Sequence, residues 1–329
     1  MNERTLARCK NLIKNKETMK SAFAWEDGLT HLACAGIFIN KEQTANEEVL
    51  IQCKDILKRS TGIFSNFKST AKPMIIAMLA SNENPQLLME RGLKVYNLLK
   101  EEFMSSVYLP IAAMIIAQYA DETRYAELAQ RTRRIYKQMR ADHPFLTSGE
   151  DSTFCALMAL LDKPDEVLLG DAEECYKILK NNFFSSNAVQ SLSHVLAMCD
   201  GEPEIKCQRT MELFQKLKEV GHKYGTSYEL PTLGVLAMAD GNQDEIAAEM
   251  AEIDQWLSEQ KGFGFFSSIS AKQRLMYAGM IAQQDYINDK MMQSAAVNGV
   301  ISLIVAQQAA MCAAITASAA ATANNNNSY

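Results

Sequence analysis

Four aspartates follow uncharged stretches of the chain at nearly regular intervals: Asp121, Asp162, Asp200 and Asp240. Carboxylates gathered at one rim can hold a divalent cation or divide the roles of acid and base between them. The same residues have a structural reading. Asp200-Gly201 and Asp240-Gly241 are ordinary turn pairs, and Asp is a favoured residue for opening a helix. The structural role carries more weight, so these four stand as the only catalytic candidates and no catalytic residue is assigned.

A second group is basic. Arg131, Arg133, Arg134, Lys137 and Arg140 fall within ten residues, and together they can bind an anion such as a phosphate or an acidic partner. Spread over one helix they also make an ordinary solvated face, which is the preferred reading. His31 and Cys34 stand three apart and can share a helix face, but a zinc site usually takes four ligands and no second pair has similar spacing. His194 and Cys199, five apart, point in different directions. His143 and His222 sit where long helices should end, a position in which His complements the helix dipole. Lys261-Gly-Phe-Gly264 is a lone Gly-x-Gly without the strand and third glycine of a dinucleotide fingerprint, and it reads as a turn. There is no P-loop, H-E-x-x-H or nucleophile elbow. No metal and no cofactor are expected.

Eight cysteines are scattered without a C-x-x-C pair, and the N-terminal twenty residues are too charged for a signal peptide. The thiols therefore read as reduced and buried, and the compartment as the cytoplasm. A formal net charge of −6 excludes broad, non-specific nucleic-acid binding, which needs excess Lys and Arg.

The elements that must position these residues are helices. In 329 residues there are only 15 Gly and 7 Pro, too few for the turns of an all-β fold. The 18 Met suit adaptable packing between helices. Three anchors recur in the same order, each with a step of about forty residues. The first is a large apolar residue before Ala in an uncharged run: Leu79, Ile116, Met158, Leu196, Leu236 and Ile281, with Ile37-Phe38 as a divergent earlier copy. The second is a pair of apolar residues four apart in a charged helix: Cys53 with Leu57, Val95 with Leu99, Ile135 with Met139, Cys175 with Leu179, Leu213 with Leu217, and Ile253 with Leu257. The third closes the unit with an apolar residue, mostly aromatic, and a Ser, Thr or Asn two places on. It starts at Ile63, Phe103, Phe145, Phe183, Tyr224 and Phe265. The aromatic can pack at a helix end, and the hydroxyl or amide can cap the next helix. Pro73, Pro110 and Pro231 stand where a first helical turn tolerates proline.

Each unit is then a short apolar helix A, a turn and a longer amphipathic helix B. The expected fold is all-α, about seven helical-hairpin repeats with A helices inside and B helices outside, forming a superhelix or a closed α/α ring. The expected layout is an N-terminal capping helix over residues 1–22 and a repeat domain over 23–285. An Ala-rich helix packed on the repeats follows over 286–322, then a disordered tail over 323–329. No charged side chain occurs after Lys290. A membrane span there is disfavoured by Gln307 and Gln308 near its middle, by its Ala content and by the lack of flanking cations.

The stretch Ser191-Leu-Ser-His-Val-Leu-Ala-Met-Cys-Asp200, with Leu236-Ala-Met-Ala-Asp240, resembles a bacterial family found mainly in Gram-positive species and known as domain of unknown function four-thousand-and-three. The likeness covers most of the chain, through about Gln284. It implies a bacterial, cytoplasmic origin and carries over no activity or site residues.

The leading expectation for function is a non-enzymatic repeat scaffold that binds a protein or peptide in its concave surface. One alternative is an α/α-ring enzyme with a carboxylate or metal site at the rim after the A helices. Another is membrane attachment through the C-terminal helix. Nucleic acid is not an expected partner, a membrane is disfavoured, and the oligomeric state is left open.

Overall fold

The computed structural model describes residues 1–286 except 27, 40, 63, 64, 240 and 266. Among the described residues there are α-helices and two short 3-10 turns, and no strand. Two kinds of helix alternate. The short ones are α2 (Gly28–Ile39), α4 (Lys72–Ala80), α6 (Leu109–Tyr119), α8 (Asp151–Leu160), α10 (Ser186–Met198) and α12 (Leu230–Ala237), and α14 (Ala271–Tyr286), though 16 residues long, takes the same place in the order and is grouped with them. The long ones are α1 (Glu3–Ala22), α3 (Glu47–Ser60), α5 (Pro85–Glu102), α7 (Tyr125–Asp142), α9 (Asp165–Leu179), α11 (Pro203–Glu219) and α13 (Gln243–Ser258).

The chain divides into two compact units. One holds residues 1–11 and the described residues from 161 onward; the other holds residues 12–160. Each is a double layer in which short helices pack on short helices and long helices on long ones. In the first, α10 meets α12 and α12 meets α14, while α9 meets α11 and α11 meets α13. In the second, α2, α4, α6 and α8 form one succession and α3, α5 and α7 the other. Each long helix from α5 onward packs most extensively on the short helix that follows it, apart from α11, which also leans heavily on α13. The expected Ala-rich helix and tail, like Asp240, lie outside the described residues.

The short helices are largely apolar and mostly buried, although α10 carries Gln190, Ser193 and His194 and α14 opens with Lys272 and Arg274. In α6, Leu109 and every residue from Ile111 to Ala117 are no more than 1 % exposed, and Pro110 is buried with them. In the long helices only a stripe is buried. All twelve residues of the second anchor, from Cys53 and Leu57 to Ile253 and Leu257, lie in the core. Pro73, Pro110 and Pro231 fall in the first turn of their helices, where no N–H is needed. Asparagines cap three long helices: Asn46, Asn84 and Asn242 each accept a backbone N–H through the side-chain oxygen.

Rings beside the second anchor meet rings in, or just after, the third. Phe67 stacks edge-on against Tyr96, Phe103 against Tyr136 and Phe183 against Phe214, with ring centroids 5.0, 5.2 and 5.3 Å apart. Connections of the same kind also touch. Asn66 Nδ2 donates to Ser105 Oγ at 2.7 Å and to the Ser106 carbonyl at 3.0 Å between two long-to-short connections. Lys41 Nζ donates to the Ser81 carbonyl at 3.0 Å between two short-to-long ones. Within a unit, each kind of connection therefore gathers at its own end of the double layer.

Two positions of the third anchor depart from expectation. Phe145 and Phe265 do not pack at a helix end but stand in solvent. Their turns are built differently. After α7, Pro144 carries the chain outward and buried Thr147 fills the end of the helix, its hydroxyl donating to the Met139 carbonyl at 3.1 Å. After α13, Phe263 takes the buried place because Gly262, with φ +84°, turns the chain one step earlier.

Candidate functional site

Asp121, Asp162 and Asp200 are all exposed. Asp121 precedes a 3-10 turn and its side chain makes no bond to it, and α9 and α11 open on Pro164 and Glu202, so none of the three caps a long helix. Asp200 instead pairs with Lys163 at 2.8 Å, beside Gly201 in a positive-φ turn. Asp162 and Asp200 lie in one unit, and Asp121 belongs to the other. No group of three or more His, Cys, Asp or Glu able to hold a metal occurs among the described residues. Replacing Asp200 by Asn is expected to change unfolding free energy by less than about 0.5 kcal/mol, because the pair it breaks is exposed. A urea titration that moves by more than that would restore a structural role.

The basic cluster is divided by its geometry. Arg131 turns inward, and its guanidinium donates to the Ala159 carbonyl at 3.0 Å, satisfying the end of α8. Arg133 lies over the rings of Phe103 and Tyr136, at 5.0 and 5.5 Å from their centroids. Arg134, Lys137 and Arg140 face solvent. Arg209 repeats the Arg131 role in the other unit, donating to the carbonyls of Ala237 at 2.8 Å and Ala239 at 3.0 Å. Two of the five cations thus serve the fold.

The histidines and thiols also have structural partners. His31 Nε2 bonds the Phe23 carbonyl at 2.8 Å, and Cys34 contacts Met74 sulfur at 3.3 Å. His222 Nδ1 lies 3.0 Å from Asp254 Oδ2. The Asp254 carboxylate also accepts from Arg274 at 2.7 and 3.2 Å, and Arg274 donates to the Phe263 carbonyl at 2.9 Å. This trio, centred on buried Asp254, links the chain after α11 to α13 and to the start of α14.

Two carboxyl sites escaped the sequence reading. Asp151 is buried at the start of α8 and accepts the Ser148 N–H at 2.7 Å. Burial, and secondarily the charge of Glu150, lifts its pKa to about 7. Ser148 and Asp151 have the spacing of a capping box, a signal that was legible. The other site had no signal, because its members are more than 240 residues apart. Thr5 Oγ1 donates to Asp285 Oδ2 at 2.7 Å and lies 3.2 Å from Glu249 Oε1, while Arg8 reaches Asp285 at 2.6 Å. Burial and the neighbouring Asp285 charge raise the Glu249 pKa. Hydrogen bonds from Thr5 and Arg8 outweigh burial at Asp285 and lower its pKa. A carboxyl with a raised pKa beside one with a lowered pKa is an acid–base arrangement, but here both face the first turns of α1, which they hold.

One further set of residues, all on turns, projects into solvent. Trp25, Met104, Phe145, Phe184 and Phe265 are between 92 and 103 % exposed, whereas no other exposed large hydrophobic among the described residues exceeds 54 %. All five stand on connections from a long helix to a short one: α1–α2, α5–α6, α7–α8, α9–α10 and α13–α14. Trp25, Met104 and Phe145 belong to one unit, Phe184 and Phe265 to the other. In the sequence the signal was a doubled apolar residue, as in Phe103-Met104 and Phe183-Phe184, whose first member packs and whose second does not. No helix of the described residues is long and apolar enough to cross a membrane.

The comparisons with known proteins agree with the resemblance read from Ser191–Asp200. The family described as "Protein of unknown function (DUF4003)" matches residues 15–310. An uncharacterized protein of Bacillus subtilis (strain 168), YeaA, is 24 % identical over 272 residues, covering 80 % of this chain and 81 % of that protein. No solved structure matches. With nine-tenths of its length inside the matched region, the chain belongs to this family of unknown function, DUF4003.

Proposed function

We propose that the chain is a non-catalytic scaffold of about seven stacked helical-hairpin repeats that acts by docking, and that its docking elements are the long-to-short turns. The supporting observation is the confinement of every almost fully exposed large hydrophobic, among the described residues, to one class of connection. Uncovered apolar side chains gain free energy only when something covers them, and repetition on equivalent turns indicates use rather than accident. The short helices do not favour the concave groove expected of an open superhelix. Residues such as Ile111, Met158 and Leu233 are buried, so no apolar stripe of that layer is left for a peptide.

The test is site-specific photo-crosslinking in living cells. A crosslinking amino acid at Phe184 or Phe265 is expected to give adducts, and the same residue at Glu83, on a short-to-long connection, or at Glu166, in the first turn of α9, is not. Absence of adducts at the turn positions, or equal labelling at both ends, overturns the reading. Small-angle scattering of the full chain separates the open superhelix from the closed ring.

A further inference from the structure

We infer that Cys175 and Cys207 form an oxidisable dithiol that takes a hydroperoxide: Cys175 attacks it, Cys207 resolves the product, and a reversible disulfide then joins α9 to α11. The two thiols stand on successive long helices of one unit, and those helices pack directly on each other. Cys207 Sγ donates to the Cys175 carbonyl at 3.8 Å, and the two side chains are also hydrogen-bonded to one another. A buried cation stands beside them. Lys206 is 1 % exposed, and its ammonium donates to Asp171 Oδ2 at 2.7 Å and to the Cys199 carbonyl at 3.3 Å. The other buried thiols with a printed sulfur contact meet thioethers instead: Cys34 lies against Met74 and Cys155 against Met139, each at 3.3 Å. A thioether cannot close a disulfide.

Hydrogen bonding divides the roles. The Cys207 S–H given to Cys175 lowers the Cys175 pKa and raises that of Cys207. Burial and the charges of Asp171 and Glu174 oppose the Cys175 thiolate, and Lys206 favours it; the hydrogen bond is the largest effect and the balance is a lowered pKa. Burial pushes Cys9, Cys53, Cys155 and Cys199 up instead. The thiolate is the reactive form, so Cys175 is the attacking sulfur. Its attack on the hydroperoxide forms an S–O bond and breaks the O–O bond. The released alkoxide, or hydroxide, takes the proton that Cys175 gave up, leaving Cys175 as a sulfenic acid. Cys207 then attacks that sulfur. The S–S bond forms, the S–O bond breaks, and hydroxide leaves as water with the Cys207 proton. Two electrons pass from the thiols to the peroxide. Both thiols are buried, so bulky oxidants are excluded and a small one enters as the helices open locally. The depth is modest: Asp171, one turn along α9 from Cys175, is 24 % exposed.

The test is a hydrogen peroxide titration of the reduced, folded full chain. Remaining thiols are then blocked with N-ethylmaleimide in urea, and the peptides are read by mass spectrometry. A linked Cys175–Cys207 peptide pair is expected, about 2 Da lighter than the two thiol peptides together, and dithiothreitol should reverse it. The linkage should appear at least about tenfold faster than oxidation of Cys53 or Cys155. In Cys207→Ser, Cys175 should stop at the sulfenic acid and be trapped by dimedone. In Cys175→Ser, the Cys207 thiol should survive the same dose. The parent chain carries the main comparison, so a variant that does not fold leaves the test standing. A folded chain that forms no such linkage, forms it only in urea, joins a different pair or two chains, or oxidises Cys53 and Cys155 as fast as Cys175 overturns the inference.

Discussion

Replacing Asp254 by Ala should lower the unfolding free energy of the unit that holds it by about 3–5 kcal/mol, the usual loss when one partner of a buried ion pair is removed. The side chain is 6 % exposed and receives two nitrogens of Arg274, itself only 12 % exposed. Without the carboxylate the guanidinium keeps its bond to the Phe263 carbonyl but remains as a buried, uncompensated charge. His222 loses its partner in the same step. Trp256, two residues away on α13, gives the readout as urea is raised. Trp25 is already bare in the folded state and should change little. Replacing Asp254 and Arg274 together by apolar residues should recover much of the loss, because the desolvation cost vanishes with the charges. An Asp254→Ala protein that melts with the parent would show that the pair contributes nothing.

The second large effect concerns pH. Asp151 has its folded pKa raised from 3.8 to about 7, with burial as the first cause. The folded state therefore binds its proton more tightly than the unfolded chain does. The contribution of this group is full below about pH 4, declines as pH rises toward 7, and is flat beyond. The three-unit rise corresponds to about 4 kcal/mol between those limits. Asp151→Asn keeps an oxygen for the Ser148 N–H and removes the titration. The variant should be more stable than the parent at pH 8 and no better at pH 4, measured by urea unfolding and by exchange protection of α8 amides. Equal parental stability at pH 5 and pH 8, or a loss in the Asn variant at pH 8, would refute this assignment. Glu249, raised in the same direction, lies in the other unit, so local exchange at α8 separates the two.

Much of the secondary structure was determined by the sequence alone, because it depends on local patterns. Scarce Gly and Pro, uncharged A segments and apolar pairs four apart in B segments require buried short helices and half-buried long ones, and the twelve pair residues all lie in the core. The prolines followed the same local rules, and the Ser65 and Ser185 hydroxyls cap the elements after them, whereas α4, α6 and α12 open without a side-chain cap. Three matters were left to the tertiary structure. Arg131 and Arg209 bond carbonyls of the helix that follows, so cations that look solvent-facing on a helical wheel turn inward. Thr5 and Arg8 meet Glu249 and Asp285 across almost the whole chain length, which no spacing rule can anticipate. Phe183 and Phe184 are identical neighbours, yet one is buried and the other bare. Local chemistry fixes what each residue prefers, but only the packing of one repeat against the next decides which of two equal side chains finds a partner.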